Sequence, residues 1–82
     1  MSIEQDVLSI VRNLIDVDDA ALVPTAHLRD DLGITSIERV ELITALENQF
    51  DIDIRDADAL RLTTLGDVFS VVEDKTSGSV TA

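Results

Sequence analysis

Apolar residues recur at Ile3, Val7, Ile10, Val11 and Leu14, three and four apart, the spacing that lines one face of a helix. Ser2 and Gln5 have the form of a capping box at its start. From residue 16 to 35 the period is lost, and Leu22, Leu28 and Leu32 appear at wide intervals around Pro24. That reads as a long loop pinned by apolar anchors, and a loop of such length in a small domain is often functional. A second helix is predicted from about 36 to 50, with Ile43, Leu46 and Phe50 on one line, Leu42 beside it, and Ile37 and Val40 on a flank. Asp51-Ile52-Asp53-Ile54 alternates too briefly to build a sheet. Asp56 is expected to cap a short helix through Ala59-Leu60. A last helix begins near Thr64, where Thr64 and Asp67 form another box and Leu65, Val68, Phe69 and Val72 face inward. The pattern predicts an all-α chain, a small four-helix bundle with a long loop between helices 1 and 2. Residues 1–75 form one domain, and the small, polar run at 76–82 is expected to be a disordered tail.

Composition narrows what such a bundle can do. At 82 residues there is room for one core and little for a deep catalytic cavity. There is no Trp or Tyr and only two Phe, so the core is built from Leu, Ile, Val and Ala. Seventeen acids against six bases give a formal charge of -11. Nucleic-acid binding needs clustered cations, and an anionic membrane surface would repel this chain, so neither is expected as a partner. Proteins with basic patches are, and a monomer with no catalysis of its own is the expected state. No Cys is present, which removes disulfides and thiolate chemistry from the chain itself. Met1 leads directly into SIEQDVLSIV without a basic or long apolar leader, so a free-standing cytoplasmic protein is expected.

The candidate chemistry lies at residues 30–38. Thr35-Ser36-Ile37-Glu38 has the capping-box form, with Thr35 as N-cap and Glu38 three residues on. Ser36 then falls in the first turn, near the loop and solvent, while Gly33 permits a turn that other residues resist. A phosphate ester on Ser36 would meet unpaired amides and the positive end of the helix dipole. As a nucleophile Ser36 is poorly served, because the only His is His27 and a nearby base is required.

The wider run resembles the acyl carrier proteins from about residue 3 to residue 74. The resemblance is carried by Asp31-Leu32-Gly33, Ser36, Val40-Glu41-Leu42, Leu46-Glu47 and Phe50, then Ile52, Ile54 and Thr63-Thr64. It implies that a phosphopantetheinyl transferase attaches 4'-phosphopantetheine from coenzyme A to Ser36. The thiol of that arm would hold acyl groups as thioesters, which accounts for a carrier without Cys. Two positions depart from the pattern. Thr35 stands where the family has Asp; it keeps the cap but lacks the charge offered to the transferase. Arg39 places a base in the first turn of an acidic helix and implies an altered partner surface.

Nine acids (Asp30, Asp31, Glu38, Glu41, Glu47, Asp51, Asp53, Asp56 and Asp58) fall between residues 30 and 58. A solvated face is their ordinary reading. The resemblance implies instead that Ile37, Glu38, Val40, Glu41 and Glu47 dock onto basic patches of acyl-loading and acyl-processing enzymes. It also implies that Leu28, Leu46, Ile54, Ala59, Leu62 and Val68 would line any space sheltering an acyl chain. No metal site is expected: a calcium loop started at Asp16 puts Ala21 and His27 at the Gly and Glu positions, and one started at Asp51 puts Asp56 and Leu62 there. The reading is a discrete acyl carrier, tilted by Thr35 and Arg39 towards a polyketide or other specialised pathway over fatty-acid synthesis. The alternatives are an aminoacyl or peptidyl carrier, an unmodified interaction module that kept the fold, and a Ser36 hydrolase.

Overall fold

The computed structural model describes residues 3–80, with side chains through residue 76. Four helices follow one another: α1 Ile3–Leu14, α2 Ser36–Phe50, α3 Asp56–Ala59 and α4 Leu65–Val80, with a single 3-10 turn at Asp19–Ala21 inside the first loop. No strand occurs among the described residues, and no helix there is long and apolar enough to cross a membrane. The four-helix, all-α architecture and the long first loop agree with the hydrophobic pattern.

α1, α2 and α4 pack on one another around a core of aliphatic side chains. α1 contributes Val7 and Val11, α2 contributes Leu42 and Leu46, and α4 contributes Leu65, Val68, Phe69, Val71 and Val72. Ile3, Ile10 and Leu14, also expected on the inner stripe of α1, are half-buried against this core. Each fully buried Leu or Val adds roughly 1.5–3 kcal/mol of transfer free energy, so these positions dominate stability. α3 is different. None of its residues is buried, and Leu60 just beyond it is 83% exposed.

The helix ends follow from local hydrogen bonding. Thr64 caps α4 as expected: the Asp67 amide donates to Thr64 Oγ1 at 3.2 Å and the Thr64 amide to Asp67 Oδ2 at 2.9 Å. The Thr64 amide, with lesser help from the Thr63 amide and the Thr64 hydroxyl, holds the Asp67 carboxyl below the usual aspartate range. At α3 the expected cap is off by one. Arg55 is the N-cap and Asp56 the first helical residue, because Asp58 Oδ2 reaches back to accept from the Arg55 amide at 3.2 Å. α2 ends on Asp51 in the left-handed region (φ 53°), with its amide bonded to Glu47 O. α4 runs to Val80, through most of the segment expected as a disordered tail. Gly78 costs a helix only about 1 kcal/mol relative to Ala, which does not stop it here. The Ser2–Gln5 box and residues 81–82 lie outside the described residues.

The first loop is sewn to the start of α4. The Leu28 amide donates to Thr63 O at 3.0 Å and the Leu65 amide to Ala26 O at 2.9 Å, flanking an antiparallel bridge between His27 and Thr64. Leu22, Leu28 and Leu32 are buried as the pattern anticipated, and Ala26 and Ile34 are buried with them. Gly66 lets the strap lie close: its amide donates to Pro24 O at 2.9 Å, and a Cβ there would stand 3.0 Å from that oxygen. The loop therefore reaches α2 along a fixed path.

Candidate functional site

Asp31-Leu32-Gly33 closes a tight turn. The amides of Asp31 and Leu32 both donate to His27 O at 3.0 Å, and Gly33 N to Arg29 O at 3.1 Å. Asp31 Oδ2 accepts from the His27 amide at 2.7 Å. Leu32 is buried, and Gly33 takes φ +70°, a conformation that strains any residue with a Cβ. Ile34 N then bonds Leu28 O at 2.9 Å, and Thr35 leaves the turn extended. Three consecutive residues thus do three separate jobs, and their sum is to aim Thr35 at the end of α2.

Thr35 is the N-cap, and the reciprocal box is complete. Glu38 N donates to Thr35 Oγ1 at 3.2 Å, and Thr35 N donates to Glu38 Oε1 at 3.0 Å. Ser36 is the first helical residue and is exposed, and its hydroxyl has no hydrogen-bond partner among the described residues. The amides of Ser36 and Ile37 precede Arg39 N, the first amide to bond within the helix (to Thr35 O at 2.8 Å), and so lie unpaired at the positive end of α2.

Ser36 stands at the rim of an open groove of about 670 Å³. Leu28, Ile34 and Leu60 supply its apolar wall; Arg29 and Arg39, two of only six basic residues, also line it. An exposed hydroxyl, unpaired amides and the Arg29 guanidinium form a donor set that suits a phosphate diester joined to Ser36. His27 is not among the lining residues; its Nδ1 lies 3.8 Å from Asp30 Oδ2. Glu38 spends its carboxylate on the Thr35 amide. Among the described residues that line the groove there is no His, Asp or Glu, so a hydrolase reading finds no base there.

Arg39, half-buried on the groove beside Ser36, reaches across to the end of α3, donating from Nη1 to Leu62 O at 2.7 Å and from Nη2 to Ala59 O. Those carbonyls lie at and beyond the end of α3, where a helix leaves acceptors unpaired. Charge-assisted bonds to them outweigh the unfavourable dipole at the start of α2. Sequence spacing alone does not bring residue 39 to residues 59–62, so this link was not legible.

The residues expected to meet partners divide into two groups. Ile37 is 74% exposed, Val40 is 63% exposed, and Glu41 is exposed beside them. Glu38 and Glu47 are half-buried with their carboxylates already engaged, Glu47 Oε2 accepting from the Ile54 amide at 2.9 Å. Of the residues expected to line an acyl space, Leu28, Leu46, Ile54, Leu62 and Val68 are buried and Ala59 is half-buried. Leu28 is the one of them that also lines the groove at Ser36.

Comparison with known proteins agrees with this arrangement. The family profile described as "Phosphopantetheine attachment site" matches residues 5–72. An acyl carrier protein from Helicobacter pylori is 38% identical over 74 residues, covering 90% of this chain and 95% of that protein.

Proposed function

The chain belongs to the acyl carrier proteins, whose prosthetic group is 4'-phosphopantetheine, and on that premise we propose that Ser36 is its attachment point. The observation that carries this reading is the exposed, unpartnered Ser36 hydroxyl on the first turn of α2, at the rim of a groove bearing two arginines. Attachment would join the Ser36 oxygen to the pantetheine-side phosphorus of coenzyme A as the pyrophosphate bond breaks and adenosine 3',5'-bisphosphate leaves, with the hydroxyl proton passing to a base. That base is assigned to the transferase, since the groove lining at Ser36 contains no His, Asp or Glu. The arm supplies the thiol that a chain without Cys lacks, so acyl groups are held as thioesters.

The chain's own part is to present and to be recognised. The turn at residues 27–34 fixes Ser36, and the outward face of Ile37, Val40 and Glu41 offers an apolar centre with an acidic flank to enzymes bearing basic patches. It is a carrier and performs no chemistry on the cargo. Thr35 in place of the family's Asp, together with Arg39 on the groove beside Ser36, supports a specialised-metabolite pathway over bulk fatty-acid synthesis.

The test is intact mass after incubation with coenzyme A and a broad-specificity phosphopantetheinyl transferase, beside a Ser36→Ala control. A gain of one phosphopantetheine in the unmutated protein only is the expected result. No gain, repeated with the transferase of the native host, would instead favour an unmodified module that kept the fold.

A further inference from the structure

We infer that Arg39 bars the interior of this carrier to its cargo, so that the acyl groups it takes are short or polar and ride in the open groove beside Ser36. The inference rests on Ser36 as the attachment point and adds the class of acyl group carried.

Arg39 occupies the seam through which a chain on Ser36 would have to pass. It lines the groove at Ser36, and its guanidinium crosses from α2 to the carbonyls of Ala59 and Leu62. Behind that seam stand Leu46 and Leu62, at most 1% exposed, with Val68 fully buried. Parting the seam would break both charge-assisted bonds of a half-buried guanidinium and leave the Ala59 and Leu62 carbonyls without their partner. A point charge would not serve as well, because the planar fork reaches two carbonyls at once.

α3 is the element that would have to move, and polar ties set its position. It buries no residue of its own. From the far side Lys75 Nζ lies 2.6 Å from Asp58 Oδ2, and Arg61 Nη2 lies 3.3 Å from Asp74 Oδ2. The first of these pairs is largely shielded from water, with side chains 30% and 17% exposed. Arg39 holds the α2 side; the α4 side is held independently. The groove outside the seam has a different character, with Leu28, Ile34 and Leu60 for a few carbons and Arg29 for oxygen atoms.

The test loads the phosphopantetheinylated protein with butanoyl, hexanoyl, octanoyl and decanoyl groups and follows cleavage of each thioester by hydroxylamine. A chain that enters the core shields its thioester, and each buried methylene would shift that equilibrium about fourfold. The expected result is a cleavage rate independent of chain length in the unmutated protein. Arg39→Gln should show protection that grows with length, and Arg39→Lys an intermediate degree. Length-dependent protection in the unmutated protein overturns the inference, whether or not either variant folds. Equal, flat rates in a folded Arg39→Gln also overturn it, since something else would then close the seam. Failure to gain phosphopantetheine at all is read from the mass beforehand and brings down the Ser36 assignment together with this inference.

Discussion

Thr35 answers to two demands, one internal and one set by a partner. Internally its hydroxyl oxygen takes the Glu38 amide and its own amide returns a bond to Glu38, closing the first turn of α2. Thr35→Ala should therefore cost about 1 kcal/mol, roughly 4–8 °C in the thermal midpoint of a domain this size. Thr35→Asp keeps an acceptor at the cap and adds a charge that the helix dipole favours by about 0.3–1 kcal/mol, so its midpoint should hold or rise. The external demand is separable. If the missing charge is what slows a general transferase, Thr35→Asp should raise kcat/KM for modification while Thr35→Ala does not. Equal rates for all three proteins would show that the transferase reads something else. The serine and its cap were legible because a capping box is local, fixed by four consecutive residues. Arg39 was not, because its partners lie 20 and 23 residues away.

α2 carries acidic residues of two kinds, and the helix as a unit shows which is which. Glu47 reaches past the end of α2 to the Ile54 amide and so fixes the path towards α3. Glu41 touches nothing comparable and is exposed. Glu47→Ala should cost about 1–3 kcal/mol by leaving a part-buried amide unpaired. Glu41→Ala should stay within about 0.5 kcal/mol in thermal unfolding yet weaken binding to a basic partner by up to about fivefold. A reversal of the two effects would exchange their roles. The family resemblance grouped both with the docking face, because a matched position does not tell where a long side chain ends. The hydrophobic pattern located α1, α2 and α4 well, since their buried positions repeat at three and four, and it missed the course of α4 to Val80, where the apolar repeat has ended. Asp67 at the start of α4 gives a pH signature. Its carboxyl is held low by the Thr64 amide first, so in acid the unfolded chain binds a proton before the folded one does. Stability is whole above about pH 4 and declines as pH falls through the depressed value. Asp67→Asn keeps an acceptor for that amide and should flatten the acid limb of a stability–pH curve.

For the molecule as a whole, a net charge of -11 on a body with a radius of gyration of 12.0 Å acts on folding and on docking with opposite signs. Like charges within one small globule repel, so the compact state is stabilised when salt screens them. Attraction to a basic partner is screened by the same ions, so association slows. The Debye length falls from about 30 Å at 0.01 M to about 8 Å at 0.15 M, which moves from longer than this molecule's radius to shorter than it. Across that range of sodium chloride the thermal midpoint should rise while the association rate constant for the transferase falls. Neither trend alone identifies the acidic face as the docking face, since any tight anion site could raise the midpoint. The pair of trends shows that the same charge opposes folding and steers association, and a slower association of Glu41→Ala at low salt would assign that steering to this face. If the midpoint rises and association stays constant, charge is a property of solubility here and the contact is carried by Ile37 and Val40, exposed at the centre of the same face. Replacing either by Ser would then slow association at every salt concentration, where replacing Glu41 would not.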